Sequence, residues 1–436
     1  MVGNKRAIIL LFLNMIFYAI YDLKYVPIVI FEIIGTYFIY CQIQRNSYMK
    51  KMWLIIGVIL EVSILCFFKF VDLFLESSDL ALRILMPLGI SYYTFKILSF
   101  IIDTYRGRGR NYKVTLLEYA VYVSFFPQIV CGPISRTDEI IPQLSKKYKV
   151  TEHELMEGIS MILSGGYKKV VIADRLAVYT AAIFTNPLGY PALASWLAAF
   201  FFSVQIYCDF AGYSELAIGV CKILGFHCHK NFDNPYFAAN IKEFWNRWHI
   251  SLSTWLRDYV YIPLGGNKVG KVRKKFNIMV TFLVSGIWHG VGLNYLCWGA
   301  YHGLLNILSI KKSSNKIILL IQTIGTFICV TFGWIMFHAG SFTNGIRYIQ
   351  NMFTDVAINY NVIVSSVIPF TGDYSSVSYF LIVVIFIIVL FIFELREYTR
   401  SIQSLEKSLY SRSAFYLFAI MFFGIIGQNS FLYANF

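Results

Sequence analysis

The sequence predicts an all-α, polytopic membrane fold, and three observations predict it. Hydrophobic residues make up 57% of the chain and charged residues only 14%, where a soluble domain carries about 25% charged residues. The mean hydropathy is +0.60. The apolar residues gather in long runs rather than alternating singly with polar ones, the pattern of helices that meet lipid. An aromatic content of 18% suits such a chain, because Trp and Tyr favour the lipid–water interface.

Apolar segments run near 7–21, 26–42, 52–70, 86–102, 116–131, 155–173, 190–208, 211–226, 276–289, 295–310, 316–337, 378–393 and 414–432. Crossing a hydrocarbon core takes about 20 helical residues, so several of these are too short to span. The expectation is about eleven transmembrane helices plus re-entrant or interfacial pieces, in one integral-membrane domain over 1–436. The first segment follows a basic start, Lys5 and Arg6, with no small-residue cleavage pattern after it; it reads as an uncleaved first span.

The net charge of +14 raises the question of nucleic acid. The Lys and Arg residues fall mostly in short loops between apolar runs, which is the positive-inside pattern of a membrane protein instead. Loop 43–51 carries Arg45, Lys50 and Lys51, and loop 104–113 carries Arg106, Arg108, Arg110 and Lys113. Between them, 71–83 sets Asp72, Glu76 and Asp79 against Arg83. This alternation predicts a cytoplasmic N-terminus. Taking KKSSNK (311–316) as cytoplasmic then predicts that 339–377 and Phe436 lie outside.

The eight cysteines form no CxxC pair and mostly sit in apolar runs, so they read as small buried side chains. Cys221, His227, Cys228 and His229 alternate too tightly for the usual paired metal spacing, and no metal is expected.

The stretch SGIWHGVGLN (285–294) places His289 between Trp288 and Gly290. Basic residues precede it in KVGKVRKKF (268–276), and basic KKSSNK follows the next apolar run. The chain therefore enters and leaves on one side. From Asn277 to His289 is about 20 Å of helix at 1.5 Å per residue, too short to cross. His289 is expected inside the membrane at the turn of a hairpin. Gly290 and Gly292 would permit the turn and a close backbone approach. An ionisable side chain at that depth is a functional candidate; an imidazole hydrogen-bonded for packing is the alternative.

A second histidine lies in KEFWNRWHISLSTWLRDYVYIPLGGN (242–267). Trp245, Trp248, Leu252, Trp255 and Tyr259 recur at helical spacing. Asn246, His249, Ser253 and Arg257 recur likewise and predict a polar stripe on the same helix. Two readings stay open: an interfacial anchor, or a helix whose polar face lines a cavity reaching His289. Asp209, in QIYCDFAGYSELAIG (205–219), is a carboxylate beside a long apolar run, either orienting an imidazole or serving as a satisfied structural acid. PLGGNKVGK lacks the GK[ST] ending of a P-loop, and no GxSxG elbow occurs.

FWNRWHISLSTWLRDYVYIPLGGN (244–267) and GIWHG (286–290) resemble the membrane-bound O-acyltransferases, and within them the polysaccharide branch typified by the alginate O-acetyltransferase membrane subunit. MPLGISYYTFKILSFIIDTYRG (86–107), FFPQIVCGPISR (125–136), GYKKVVIADRLA (166–177), YCDFAGYSELAIG (207–219) and TFGWIMFHAGSF (331–342) follow in the same order. His338 stands where the family pattern has arginine, and His227 and His229 match no family position. The resemblance implies a multi-helix enzyme of the cell membrane. It would move an acyl group from a cytoplasmic thioester, acetyl-CoA or an acyl carrier, toward a polysaccharide hydroxyl, with no bound cofactor. An extracellular or periplasmic acyltransferase partner would complete the transfer in some systems. It makes His289 the catalytic residue and His249 its companion, with Asn246, Ser253, Arg257, Trp288 and Asp209 as the candidate substrate-binding set. D-alanyl transfer toward teichoic acid is the alternative within the family. A transporter or channel with a proton-relaying histidine is the alternative outside it, although no paired transporter repeats are evident.

Overall fold

The computed structural model describes residues 2–45, 48–75, 86–108, 113–146, 148–354, 356, 359–367, 376–399 and 408–425. Parts of the 71–83, 104–113 and 339–377 stretches, and Phe436, lie outside the described residues. Among the described residues all regular structure is helical. The chain divides into two units, residues 1–159 with 217–230, and 160–216 with 231–435.

The first unit holds α1 (Val2–Asp22), α2 (Val26–Arg45), α3 (Lys50–Leu75), α4 (Ile90–Arg106), α5 (Leu116–Ser124), α6 (Phe126–Ile129) and α7 (Thr137–Ser145). Its lipid-facing sides are legible as exposed apolar residues, Ile8, Ile9 and Phe12 on α1 and Ile55, Ile56 and Ile59 on α3. The apolar run 116–131 is expected as one segment but is broken at Phe125. Pro127 lies in the first turn of α6, where its missing N–H is not needed. The backbone groups freed there are re-satisfied from α1: Phe126 N–H donates to Asn14 Oδ1 at 3.0 Å, as a break inside a membrane requires. Helix α5 begins with a capping box between Thr115 and Glu118. His227 faces Glu154 at 3.4 Å and His229 faces Glu139 at 3.7 Å.

Helices α8 (Glu152–Gly166) and α10 (Ala192–Ile223) carry the chain between the units. The second unit adds α9 (Asp174–Thr185), α11 (Ile241–Arg247), α12 (Ile250–Leu256), α13 (Lys271–His289), α14 (Leu293–Ile307) and α15 (Lys316–His338). It continues through α16 (Phe342–Phe353), α17 (Tyr360–Val367), α18 (Ser376–Thr399) and α19 (Leu409–Phe423). The segments 190–208 and 211–226, separate in the hydropathy pattern, run as the single 32-residue α10. Asp209 interrupts the apolar sequence without interrupting the helix, because Lys169 neutralises it at 2.6 Å.

Six described helices are long and apolar enough to cross a membrane: Asn4–Tyr21, Leu23–Arg45, Lys50–Val71, Ala192–Ile223, Lys316–His338 and Val377–Thr399. The hydropathy pattern leads one to expect about eleven spans. Part of the difference arises because breaks and hairpins shorten apolar runs that hydropathy alone treats as continuous.

One of these shorter arrangements is the hairpin of α13 and α14. A Cβ at Gly286 would lie 2.5 Å from Tyr295 O, and one at Gly299 would lie 2.5 Å from Phe282 O. The pairing 286–295, 282–299 is an antiparallel register, so the chain does return along its own path. Glycines at these crossings let two backbones approach closely. Gly299→Ala is expected to lower stability in detergent by about 1–3 kcal/mol through overpacking. Gly325→Ala on α15, where an added Cβ meets nothing within 4 Å, serves as the control. Equal melting temperatures for the two variants would contradict the tight crossing.

Candidate active site

The hairpin positions His289 at its tip, as the last residue of α13. Gly290 follows in fully extended backbone, φ 178 and ψ 169, which any residue can adopt. The need for glycine there is clearance: a Cβ would lie 2.3 Å from the Tyr295 ring. Gly292, at φ -72, also needs no left-handed conformation, and a Cβ on it would meet Asn294 Oδ1 at 2.1 Å. Of the two reasons the sequence offered for these glycines, the close approach is the one seen here; neither takes a left-handed turn conformation.

His289 is 5% exposed. Its ring lies among Trp288 at 4.5 Å, Trp298 at 5.1 Å and Phe337 at 5.1 Å between centroids. The imidazole is thus held in an aromatic pocket built from α13, α14 and α15. Rigid packing of this kind fixes a reacting group in one orientation. The basic residues Lys271, Arg273, Lys274 and Lys275 form the exposed N-terminal end of α13. Before them, Gly265 and Gly266 take φ of 108 and 57, values that favour glycine. Buried Asn277 ties this turn to α13, donating to Leu264 O at 3.1 Å and Gly266 O at 3.2 Å.

The expected single helix over 242–267 is corrected by the structure. It is broken into α11, α12 and a π turn at Arg257–Tyr261. The break falls at His249, which adopts left-handed backbone, φ 43 and ψ 55. For a residue with a Cβ that conformation costs roughly 1–2 kcal/mol, and such strain gathers at functional sites. The kink undoes the polar stripe that helical spacing predicts. His249 turns inward and is 2% exposed. Asn246 and Arg257 lie on the exposed side, with Arg257 Nε donating to Asp258 at 2.8 Å. Ser253 is half-buried and donates to Trp248 O at 3.2 Å. Trp248, Leu252 and Trp255 are buried in the core, so this aromatic face is not an interfacial anchor.

The inward turn is fixed by the segment before α11. Asn231 O accepts from Ile250 N–H at 2.9 Å, and Asn231 Oδ1 accepts from Ser251 N–H at 3.2 Å. Asn231 therefore satisfies the first free amides of α12 from a distance in sequence, the task an N-cap side chain performs locally. The same Oδ1 lies 3.1 Å from His249 Nδ1. Phe210 of α10 sets its ring edge-on to His249 at 4.6 Å. Burial pushes the His249 imidazole down to about 3, so at neutral pH it is uncharged.

A run of aromatic contacts joins the two histidines. Trp248, next to His249, packs on Trp334 at 4.9 Å; Trp334 stacks on Trp298 at 6.1 Å; Trp298 meets His289. Sequence reasoning singled out none of Asn231, Trp298, His302, Trp334 and Phe337. His302, on α14, is fully buried 5.1 Å from Trp298 and from Trp245. Neither of its ring nitrogens has a hydrogen-bond partner among the described residues. It was legible in principle, being an ionisable residue inside an apolar run. Asp209 lies on α10 one residue before Phe210 and pairs with Lys169 at 2.6 Å. Lys169 also holds Asp174, at 2.9 Å.

All regular structure among the described residues is thus helical, with one buried histidine at the tip of a helical hairpin and a second in left-handed backbone, joined by packed tryptophans. The model of the MBOAT family, the membrane-bound O-acyltransferases, matches residues 7–344. The chain belongs to that family and is a membrane O-acyltransferase, not the transporter or channel also open from the sequence. It is 36% identical over 358 residues to a "Probable alginate O-acetylase AlgI" of Pseudomonas syringae pv. tomato, covering 77% of this chain and 67% of the relative. It is 32% identical over 382 residues to a "Peptidoglycan O-acetyltransferase" of Helicobacter pylori, covering 78% and 72%. A "Teichoic acid D-alanyltransferase" of Bacillus subtilis is 32% identical over 274 residues, covering 58% of this chain and 69% of the relative.

Proposed function

We propose that the protein moves an acetyl group from a cytoplasmic thioester, acetyl-CoA, toward a hydroxyl of an extracellular or cell-wall polysaccharide. It does so across the cell membrane, directly or by handing the group to an acyltransferase outside. The observation that carries this reading is His289, a buried imidazole at the tip of a hairpin that opens toward a basic helix start. The O-acetyltransferase relatives, aligned over about three-quarters of the chain, favour acetyl over D-alanyl transfer; the D-alanyltransferase relative aligns over less.

In the reaction His289 takes the proton of the acceptor hydroxyl as that oxygen attacks the thioester carbonyl. The C–O bond forms, the C–S bond breaks, and the proton passes to the departing thiolate. Imidazole suits this because a neutral ring carries one lone-pair nitrogen and one N–H, so it can take up a proton and give it back. The aromatic walls keep water from competing for the acyl group. Lys271, Arg273, Lys274 and Lys275 meet the phosphates of coenzyme A on the cytoplasmic side, and His249 is the second polar group toward the substrate. Purified protein in liposomes is expected to release thiol from acetyl-CoA when an acceptor sugar is supplied. Release from a D-alanyl carrier and none from acetyl-CoA would replace this reading with the D-alanyl one.

Sidedness is testable separately. On a background without the eight native cysteines, Gly270→Cys is expected to react with an impermeant maleimide only from the cytoplasmic face. Labelling from outside in intact cells would invert the orientation and remove the basic turn from the donor path.

A further inference from the structure

The two sides of the Asn231 amide have different partners. Its Nδ2 donates to Ser214 Oγ on α10 at 3.2 Å. Its Oδ1 receives Ser251 N–H at 3.2 Å and Ser251 Oγ at 2.9 Å. A backbone N–H can only donate, so it fixes which end of the amide is oxygen. Rotating the amide by half a turn would set NH2 against N–H.

That oxygen also faces His249 Nδ1 at 3.1 Å. An amide oxygen only accepts, so Nδ1 must carry a hydrogen. The burial that keeps the ring uncharged leaves it one N–H in all. Nε2 is then the lone-pair nitrogen. Asn231 and His249 are 18 residues apart, and the left-handed backbone of His249 turns the ring onto the amide.

We propose that Asn231 is the positioning residue of His249, locking its imidazole in the Nδ1–H tautomer so that Nε2 faces the substrate as a hydrogen-bond acceptor. This rests on the reading of the site as the place of acyl transfer. It assigns His249 a definite sense of action. His249 receives a hydrogen from a substrate hydroxyl or amide and orients that group; it is not a donor to the thioester carbonyl. An imidazole held in the wrong tautomer loses its function without losing its place.

Two measurements test it. The first reads the tautomer with no need for turnover. Protein labelled with 15N-histidine is compared by solid-state NMR with His249→Gln, and the difference isolates the His249 ring. A protonated Nδ1 and bare Nε2 are expected, and a mixture of tautomers in Asn231→Leu. A protonated Nε2 in the wild type overturns the proposal.

The second reads function. Asn231→Leu removes the acceptor and is expected to lower kcat by about 10²–10⁴-fold with KM changed far less. Asn231→Asp keeps an acceptor toward Nδ1–H and is expected to restore kcat to within about tenfold of wild type, the range a general acid–base contribution allows. If Asn231→Leu does not fold, Asn231→Asp against Asn231→Ser makes the same comparison. Loss of activity that merely follows the folded fraction, or no rescue by aspartate, overturns the positioning role. A wild-type protein that turns over no acyl thioester defeats the proposed function instead, and the NMR comparison still decides the tautomer.

Discussion

His289→Ala is expected to abolish acyl transfer, lowering kcat by at least the 10²–10⁴-fold that a positioned acid–base group supplies, while the protein still inserts and folds. The ring is enclosed by Trp288, Trp298 and Phe337, which are held by three different helices and should keep their packing without it. The measurement is thiol release from acetyl-CoA, alongside a thermal melt and size-exclusion profile of the same sample. A well-folded variant with near-normal turnover would remove His289 from the chemistry. A variant that unfolds would make the imidazole a packing residue, the alternative the sequence leaves open.

The second large effect concerns stability. The π-helical turn Tyr167–Ala173 brings Lys168 and Lys169, successive residues, into the interior together, each 6% exposed. A local change from the α-helical repeat is what permits two neighbours to face one way. Lys168 meets Glu215 at 2.5 Å and Glu394 at 3.6 Å; Lys169 meets Asp209 and Asp174. Lys169→Met would leave two buried carboxylates without their shared ammonium. Breaking a buried pair from one side costs about 3–5 kcal/mol, against at most about 1 kcal/mol for an exposed pair. Asp209→Asn should cost much less, since Lys169 keeps Asp174. Melting in detergent checks the order of the two variants, and an equal shift would contradict the network. The same Asp209→Asn protein tests its proposed place in substrate binding: lost transfer at unchanged melting temperature supports that place, and unchanged transfer confines Asp209 to the ion network.

The sequence determined the class of this protein and the position of its central histidine. Long apolar runs and the scarcity of charge are local properties, and a helix inside lipid must satisfy its backbone within itself, so they translate directly into membrane helices. Basic residues on both sides of a short apolar pair likewise made the hairpin around His289 legible, and the structure contains it. Helical spacing failed at His249. Spacing assumes one uninterrupted helix, and nothing within 242–267 records the left-handed residue that breaks it; the backbone of α12 is capped by Asn231, which lies outside that window. The number of long helices was similarly decided beyond the local signal, where Asn14 repairs the break at Phe125 and Lys169 holds α10 intact through Asp209. Trp298 and His302 reach the site from α14 and Phe337 from α15, and only packing brings the two helices together there. Hydropathy and periodicity report what a segment prefers by itself, whereas an imidazole's tautomer, a buried carboxylate's partner and the exposure of a stripe depend on residues far along the chain, which tertiary structure alone brings within hydrogen-bonding reach.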